Sequence, residues 1–244
     1  MERAFRFDDT SGRAKGPAVS LSYSWQFIGR PGSVGDRAYD WLRRRLNRRL
    51  VGWLTKHLGR STPGSTACRL LEAGSGTAFA SSLFRRQPHV DLCVCLDIDE
   101  EALHAARRRD PQLLAVRGDL QQMPFSGGMF TLVFSSSTVE HLADPAAAVG
   151  EMQRVCHDGG CVFVGVPYRF GPLGFQPWIR HTRIGIWLGP VFTRRSLERI
   201  LNRTGLSPVA HLRYFWNFFV GVFAVKAGLQ DALPTAMNRS VETR

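Results

Sequence analysis

Paired cysteines and long apolar runs are both missing from this 244-residue sequence. Its five cysteines include no Cys-x-x-Cys pair, and Cys93, Cys95 and Cys161 lie inside apolar runs. We therefore expect reduced core thiols, no disulfide and no metal site. No segment approaches the roughly 18 consecutive apolar residues of a membrane-spanning helix, and the amino terminus lacks the apolar stretch of a secretory signal. These absences predict a soluble, cytoplasmic protein.

Lysine is scarce as well: the sequence has three lysines and 29 arginines. The formal net charge is +12. Such an excess is typical of proteins with anionic partners such as nucleic acid, a membrane surface or an acidic substrate. Genomic base composition produces the same preference for arginine, and the basic residues are scattered through predicted helices. Total charge therefore leaves the partner open, and we do not expect nucleic acid on this ground alone.

The chain is predicted to begin with an arm and a basic helix, over residues 1–65. The arm, to about residue 34, is polar and glycine-rich. From 36 to 58, apolar residues recur every three or four positions between arginines, which predicts a helix ending at Gly59. This pattern fits a helix packed on the domain with a solvated arginine face, and it also fits a helix on a membrane surface. At the other end, 229–244 should form a flexible tail.

Strand and helix patterns alternate from Cys68 onward, within a domain predicted to span 66–228. The predicted strands are 68–73, 92–97, 112–117, 130–135, 160–166, 207–214 and 218–226, with helices near 77–86, 99–109, 144–156 and 193–204. This alternation predicts an α/β fold, a doubly wound Rossmann-like seven-stranded sheet that binds ligands beyond the carboxyl ends of its strands. The last two strands lack an intervening helix and should pair as an antiparallel edge hairpin.

The most informative motif is the turn after the first of these strands, Leu71-Glu72-Ala73-Gly74-Ser75-Gly76-Thr77. Its glycines let the backbone approach a ligand, and the next helix is expected to aim N–H groups at an anionic group. Asp97 follows about 20 residues later at a strand tip, where a carboxylate can accept from two ribose hydroxyls. Asp97 could instead cap the next helix, although Asp99 fits that position better. A nucleoside pocket is therefore predicted, and Phe79 at the third-glycine position disfavours a pyrophosphate-binding dehydrogenase.

The order of the motifs resembles the class I S-adenosylmethionine-dependent methyltransferases, particularly the small-molecule group that includes the ubiquinone and menaquinone methyltransferases. The resemblance covers residues 66–166, and five segments carry it in order: 71–77, 95–99, 118–125, 130–142 and 154–160. One departure, His157-Asp158 in place of the usual lysine-proline, lies at a turn distant from the cofactor. The resemblance implies S-adenosylmethionine as the cofactor and methyl transfer as the activity.

The resemblance also implies which residues bind the cofactor. The first turn would contact the methionine end of the cofactor, and Asp97 would bind the ribose. The next two motifs would contact the adenine, and Ser135 would lie near the sulfonium. The full set is Glu72, Gly74, Ser75, Gly76, Asp97, Ile98, Asp119, Leu120 and Ser135. Within it, Asp119 would accept from the adenine amino group, Leu120 would lend a backbone contact, and Ile98 would pack on the ring. Asp119 also fits an ordinary solvated turn residue.

The acceptor side is less defined by the sequence. Residues 167–192 form an aromatic, glycine-rich insertion that we interpret as a substrate lid, although the same aromatics suit a packing collar over the sheet. Three residues are candidate general bases: His141, Tyr168 and His181. His141 fits equally well as a hydrogen-bonded packing residue of the loop.

Methyl transfer to a small apolar or aromatic acceptor is the function these observations favour. A membrane-associated lipid or quinone acceptor stays open, as does a non-catalytic module that binds S-adenosylmethionine. A nucleic-acid methyltransferase is disfavoured, because Ser135-Ser136-Ser137-Thr138 stands where that class needs an Asn/Asp-Pro-Pro-aromatic tetrad or a Pro-Cys nucleophile. The oligomeric state is not predicted.

Overall fold

A computed structural model describes residues 34–61, 68–172, 174 and 190–228. In the first helix, side chains are described at position 37 and from 41 onward. The predicted arm, the predicted tail and most of the predicted lid, with His181 in it, lie outside the described residues.

Seven strands form one sheet in the order β3-β2-β1-β4-β5-β7-β6. They are β1 (Cys68–Ala73), β2 (Val90–Asp97), β3 (Leu114–Arg117), β4 (Phe130–Ser136), β5 (Cys156–Pro167), β6 (Leu206–Tyr214) and β7 (Phe219–Lys226). The first five strands pair in parallel, while β7 pairs antiparallel with both β5 and β6. This confirms the predicted doubly wound sheet with an antiparallel edge hairpin. Because the strand order reverses between β1 and β4, the ligand crevice of such a fold lies beyond their carboxyl ends.

The described part of the chain also contains five helices and one short 3₁₀ turn, of which the first helix precedes β1. They are α1 (Val34–Ser61), α2 (Phe79–Phe84), α3 (Glu100–Arg109), the 3₁₀ turn (Val139–His141), α4 (Pro145–Val155) and α5 (Arg194–Arg203). Asp99 caps α3 by accepting from the N–H groups of Glu101 and Ala102, as predicted. The predicted end of α1 at Gly59 is wrong, because the helix continues to Ser61.

The helices cover both faces of the sheet. On one face, Leu50 and Leu54 of α1 are at most 1% exposed and pack with Phe134 and Phe163 of the central strands. On the other face, α4 and α5 pack on the alternate strand residues. The apolar side of α1 is thus part of the core. This favours the interpretation of α1 as a packed helix, since an in-plane membrane helix needs its apolar side free.

The contacts of α1 also fix its direction. Arg43, in its N-terminal half, lies 5.6 Å from the ring centroid of Phe79 at the start of α2. Near its other end, Thr55 donates a hydrogen bond of 3.1 Å to Gln87, beyond the end of α2. The N-terminal half of α1 therefore lies at the carboxyl-end edge of the sheet, beside the expected crevice.

Four of the five cysteines are buried in the core, and burial raises the pKa of Cys93, Cys95 and Cys161 to about 12. These thiols are therefore protonated at neutral pH. None of the helices in the described part of the chain combines the length and the apolar character needed to cross a bilayer.

Candidate active site

The turn after β1 is closed by its own hydrogen bonds. The N–H groups of Gly74 and Ser75 both donate to the Leu96 carbonyl of β2, at 2.8 and 2.9 Å, and that of Gly76 donates to Asp97. No N–H group of these three residues is left for an anion, and α2 is only six residues long. The N–H groups of the turn itself are therefore used within the protein, which agrees with the absence of a pyrophosphate fingerprint. Whether the start of the next helix meets an anionic group stays a prediction.

Position 74 requires glycine for two reasons, its backbone conformation and a close neighbouring side chain. Its φ is +74°, and a Cβ added there would lie 2.2 Å from Cγ2 of Thr138. The Thr138 hydroxyl in turn donates to the Gly74 carbonyl at 2.9 Å. This contact fastens the loop after β4 onto the turn after β1, so the two sides of the crevice are built against each other.

Glu72 is buried at the end of β1 and holds the beginning of α2. Its Oε2 accepts from the N–H and the hydroxyl of Ser81, at 2.9 and 2.6 Å. Burial raises the pKa of Glu72 to about 7, while the hydrogen bonds from Ser81 and the charge of Arg43 favour the ionised form. Glu72 therefore orders the β1–α2 connection, with Arg43 of α1 close enough to act on it.

Asp97 lies at the tip of β2, where both of its carboxylate oxygens are held. Oδ2 accepts from the N–H of Gly76 at 2.6 Å, and Oδ1 accepts from that of Asp99 at 2.9 Å. Burial raises the pKa of Asp97, against these two hydrogen bonds, which favour the carboxylate. Each oxygen keeps lone-pair capacity for a further donor. The helix cap belongs to Asp99, so Asp97 is left for another role.

The predicted adenine side lies at the neighbouring strand ends. The N–H of Gly118 donates to the carbonyl of Asp97 at 3.0 Å, which brings the residues after β3 next to the tip of β2. Ile98 is 52% exposed, while Leu120 is buried. Asp119 is exposed, and its Oδ1 accepts from the N–H of Gln121 at 2.9 Å. The structure thus brings these predicted residues together at one edge and gives Asp119 a turn-forming hydrogen bond.

The end of β4 carries a buried hydroxyl. Ser135 is fully buried, and its Oγ has no hydrogen-bond partner among the described residues. The hydroxyl of Thr77, in the turn after β1, is buried without a partner in the same part of the chain. A buried hydroxyl without a partner is costly, so each of these groups is a candidate to meet a ligand or an ordered water.

Glu140 is a buried acid that we did not predict as a functional residue. In the 3₁₀ turn after β4 it is 2% exposed, and its carboxylate makes no hydrogen bond of good geometry with the described residues, although the Ser137 hydroxyl and the Thr138 backbone lie close enough to favour the ionised form. Burial raises the pKa of Glu140 to about 8. Oε1 lies 3.8 Å from Nε2 of His141, whose own pKa is lowered by burial. The available signal was an acid next to His141 in the segment Val139-Glu140-His141-Leu142, from which only His141 was predicted as a site residue.

Tyr214, at the end of β6, is a second residue that we did not predict. Its hydroxyl forms a 2.9 Å hydrogen bond with Oγ of Ser136 at the end of β4, although β7 and β5 lie between β6 and β4 in the sheet. Gly165 makes this path possible, because a Cβ there would lie 1.9 Å from the Tyr214 hydroxyl oxygen. Burial raises the pKa of Tyr214 above its usual value, and the charges of Glu140 and Arg43 act on it. No short sequence motif contains this contact, since its partners are 78 residues apart.

The two ends of the predicted lid meet at the end of β5. The N–H of Phe192 donates to the carbonyl of Pro167, and the N–H of Arg169 donates to the carbonyl of Phe192, both at 2.8 Å. Tyr168 is half-buried between them, with its ring centroid 5.7 Å from that of Phe170. Tyr168 therefore lies at the crevice edge. The centre of the insertion, with Trp178, His181 and Trp187, is outside the described residues.

The tip of the β6–β7 hairpin has an unusual backbone. Phe215, Trp216 and Asn217 have φ values of +50°, +53° and +65°. The left-handed region costs a non-glycine residue about 1–2 kcal/mol, and two of these three are bulky aromatics. A Cβ on Gly171 would lie 2.0 Å from the Asn217 carbonyl oxygen, so the segment after β5 packs directly on this tip.

Comparison with known proteins agrees with this geometry. Residues 71–164 match the family model described as a methyltransferase domain. The chain is 37% identical over 103 residues to a malonyl-[acyl-carrier protein] O-methyltransferase of Herminiimonas arsenicoxydans, covering 42% of this chain and 38% of that protein. It is 32% identical over 121 residues to the enzyme of the same name from Serratia marcescens, covering 50% of this chain and 44% of that one. The chain thus spans less than half the length of these relatives.

Solved structures show the same fold. A methyltransferase from Thermotoga maritima, described as S-adenosylmethionine-dependent and a possible histamine N-methyltransferase, superposes with a TM-score of 0.60 at 19% identity. The match covers 79% of this chain and 96% of that one. The matched segment is a methyltransferase domain, and such domains use S-adenosylmethionine as the cofactor. Residues 71–164 of this chain therefore carry a methyltransferase domain, and the described residues have the fold of solved methyltransferases.

Proposed function

We propose that this protein transfers the methyl group of S-adenosylmethionine to a small, apolar or aromatic acceptor. The observation that carries the proposal is Asp97, which is fixed by two backbone N–H groups beside the turn after β1 and is not used as a helix cap. A carboxylate placed in this way accepts charge-assisted hydrogen bonds from neutral hydroxyl donors.

The described residues fit the cofactor. Ile98 offers an exposed apolar surface one residue beyond Asp97, where an adenine ring would bury it. The buried hydroxyls of Thr77 and Ser135 have no partner among the described residues, so polar groups of a bound molecule would satisfy them. When bound, S-adenosylmethionine supplies an electrophilic methyl group carried by a sulfonium.

The chain's own contribution is mainly positional. The Thr138–Gly74 contact holds the loop after β4 against the cofactor turn, which keeps donor and acceptor sides in register. Correct placement of two reactants can supply roughly 7–11 kcal/mol of a barrier. Because burial lowers the pKa of His141, its imidazole is neutral at neutral pH and can take a proton from an acceptor hydroxyl. Tyr168 and His181 are the other proposed bases; Tyr168 lies at the crevice edge.

A carboxylate acceptor is the second candidate. Two relatives of the matched segment are named as O-methyltransferases of a malonyl group on an acyl carrier protein. The guanidinium of Arg43 acts on Glu72 and on Tyr214, and so places a positive charge beside the crevice. An ionised carboxylate is already a nucleophile and needs no general base. The two candidates are separated by comparing the wild type with His141→Asn on both kinds of acceptor. Loss of the base should slow methylation of a hydroxyl acceptor and leave methylation of a carboxylate unchanged.

The first experiment measures cofactor binding by calorimetry. We expect Asp97→Ala to weaken binding of S-adenosylmethionine by about 1.5–3 kcal/mol, the range for hydrogen bonds to charged groups. Asp158→Ala is the matched control, because Asp158 lies at the opposite edge of the sheet in an ion pair with Lys226. Unchanged affinity in Asp97→Ala would remove Asp97 from the site.

A labelled-methyl screen of candidate acceptors completes the test. Methyl transfer to an acceptor supports the interpretation as an enzyme, provided that a variant unable to bind the cofactor loses this transfer. Tight cofactor binding without transfer to aromatic alcohols, quinols, fatty acids or carrier-linked acids would instead support a non-catalytic module.

A further inference from the structure

Three large aromatic side chains are exposed at the carboxyl-end edge of the sheet. Trp41 and Trp216 are each 63% exposed, and Phe170 is 59% exposed. They belong to three separate elements: the N-terminal half of α1, the tip of the β6–β7 hairpin and the segment after β5. Large apolar side chains grouped around one opening are typical of an interaction surface.

Contacts between these elements place the three aromatics on one edge. The N–H of Tyr168 donates to the Phe218 carbonyl at 2.8 Å, which joins the segment after β5 to the hairpin. At the hairpin, the rings of Phe215 and Tyr214 lie 4.8 Å apart, and the charge of Arg43 acts on Tyr214. The contact of Arg43 with Phe79 puts the N-terminal half of α1 at the carboxyl-end edge of the sheet, which is also the edge of the hairpin tip, and Trp41 lies on the exposed face of that half.

Positive charge surrounds the same edge. The exposed side of α1 presents Arg44, Arg45 and Arg48, and no acidic residue occurs between Trp41 and Ser61. The guanidinium of Arg45 lies 5.7 Å from the ring centroid of Trp41. Arg169, next to Phe170, and Arg213, three residues before Trp216, are also exposed. Cationic side chains therefore accompany each of the three aromatics.

We propose that this surface, formed by Trp41, Arg44, Arg45, Arg48, Phe170 and Trp216 and here named the aromatic rim, docks on an anionic lipid bilayer. Tryptophan and arginine are residues of the membrane–water interface, and basic clusters of this size bind anionic headgroups. Trp216 is exposed at a hairpin tip, whereas single-stranded nucleic acid is bound along grooves lined by stacking aromatics. The apolar side of α1 is buried, so α1 contributes charge, and Trp216 with Phe170 enters the headgroup layer.

Docking in this orientation turns the crevice opening towards the bilayer. An acceptor with an apolar tail then reaches the crevice from the lipid phase, while the cofactor side stays open to water. The docking surface does not depend on the proposed methyl transfer, because binding to vesicles is measured without any acceptor.

The test is co-sedimentation with vesicles of phosphatidylcholine alone and of phosphatidylcholine mixed with phosphatidylglycerol. We expect binding only to the mixed vesicles, and weaker binding as salt rises. Arg44→Gln, Arg45→Gln and Arg48→Gln together should weaken binding by about a hundredfold, at about fivefold for each arginine. Trp216→Ala should weaken it at least fivefold and reduce the blue shift of tryptophan emission on binding.

Matched controls are Arg108→Gln with Arg203→Gln for charge, and Val209→Ala for an exposed apolar residue away from the rim. These variants should bind like the wild type, with circular dichroism confirming that all variants fold. Equal loss in the controls, or no sedimentation with the mixed vesicles, would overturn the proposal. Salt-sensitive binding to single-stranded DNA or to an acidic carrier protein, without vesicle binding, would assign the rim to that partner instead.

Discussion

The two sides of the crevice are built by different means. The cofactor side, at the ends of β1, β2 and β3, is closed by short backbone hydrogen bonds, such as those of Gly74 and Ser75 to Leu96. The proposed acceptor side, at the ends of β4 to β7, contains the buried acid Glu140, which has no hydrogen bond of good geometry with the described residues, and a strained hairpin tip. A buried hydroxyl without a partner among the described residues occurs on each side, Thr77 on the first and Ser135 on the second. The two sides therefore differ mainly in the backbone, which is closed by hydrogen bonds on the first and strained at the hairpin tip on the second.

The largest effect that tests this comparison is expected on the cofactor side, from Gly74→Ala. The new Cβ meets both the positive φ and the side chain of Thr138, so we expect a loss of about 3 kcal/mol in the free energy of unfolding. Gly128→Ala is the control, because Gly128 has a φ of +69° but no atom within 4 Å of an added Cβ. It should lose only about 1 kcal/mol. Urea denaturation measures both, and equal losses would show that the Thr138 contact is unimportant.

Gly165→Ala is the corresponding change on the acceptor side and should cost about 2 kcal/mol. The added methyl displaces the Tyr214 hydroxyl from Ser136 but touches no part of the cofactor turn. Cofactor affinity should therefore stay within error of the wild type, whereas Gly74→Ala should weaken it. Adding Tyr214→Phe should restore part of the lost stability, because the clashing oxygen is removed. If Gly165→Ala weakens cofactor binding as much as Gly74→Ala does, the two sides are not independent.

The same contrast explains what the sequence could predict. The cofactor side lies in continuous motifs, so the turn 71–77, Asp97 and the Asp99 cap were all identifiable from residue type and spacing. The Tyr214–Ser136 contact and the burial of Glu140 depend on strand order and on space left by Gly165, which no local pattern encodes. The early start of β5 at Cys156 was missed for a local reason. Asp158-Gly159-Gly160 is typical of a turn, yet the chain pairs there through an irregularity in the β4–β5 register.

The smallest effect, and the most specific to the acceptor side, concerns the pH dependence of stability through Glu140. An unfolded glutamate titrates near 4.5, and burial raises the pKa of Glu140 in the fold to about 8. The folded state therefore binds the proton more tightly, so stability falls as pH rises from about 4.5 to 8. Glu140→Gln removes this titration, and we expect the variant to match the wild type near pH 4.5 and to exceed it by a margin that grows as pH rises to 8.

Glu72 also titrates in this window, because burial raises its pKa to about 7, so the wild-type curve alone does not isolate Glu140. The difference between the wild-type and Glu140→Gln curves isolates Glu140. Glu151→Gln is the control, because the hydrogen bond from Arg154 lowers the pKa of the Glu151 carboxylate. Stability of the control should fall below that of the wild type as pH rises above the pKa of Glu151. A Glu140→Gln curve parallel to the wild type across this range would mean that the carboxyl is hydrated in solution, and the acceptor side would then be as well satisfied as the cofactor side.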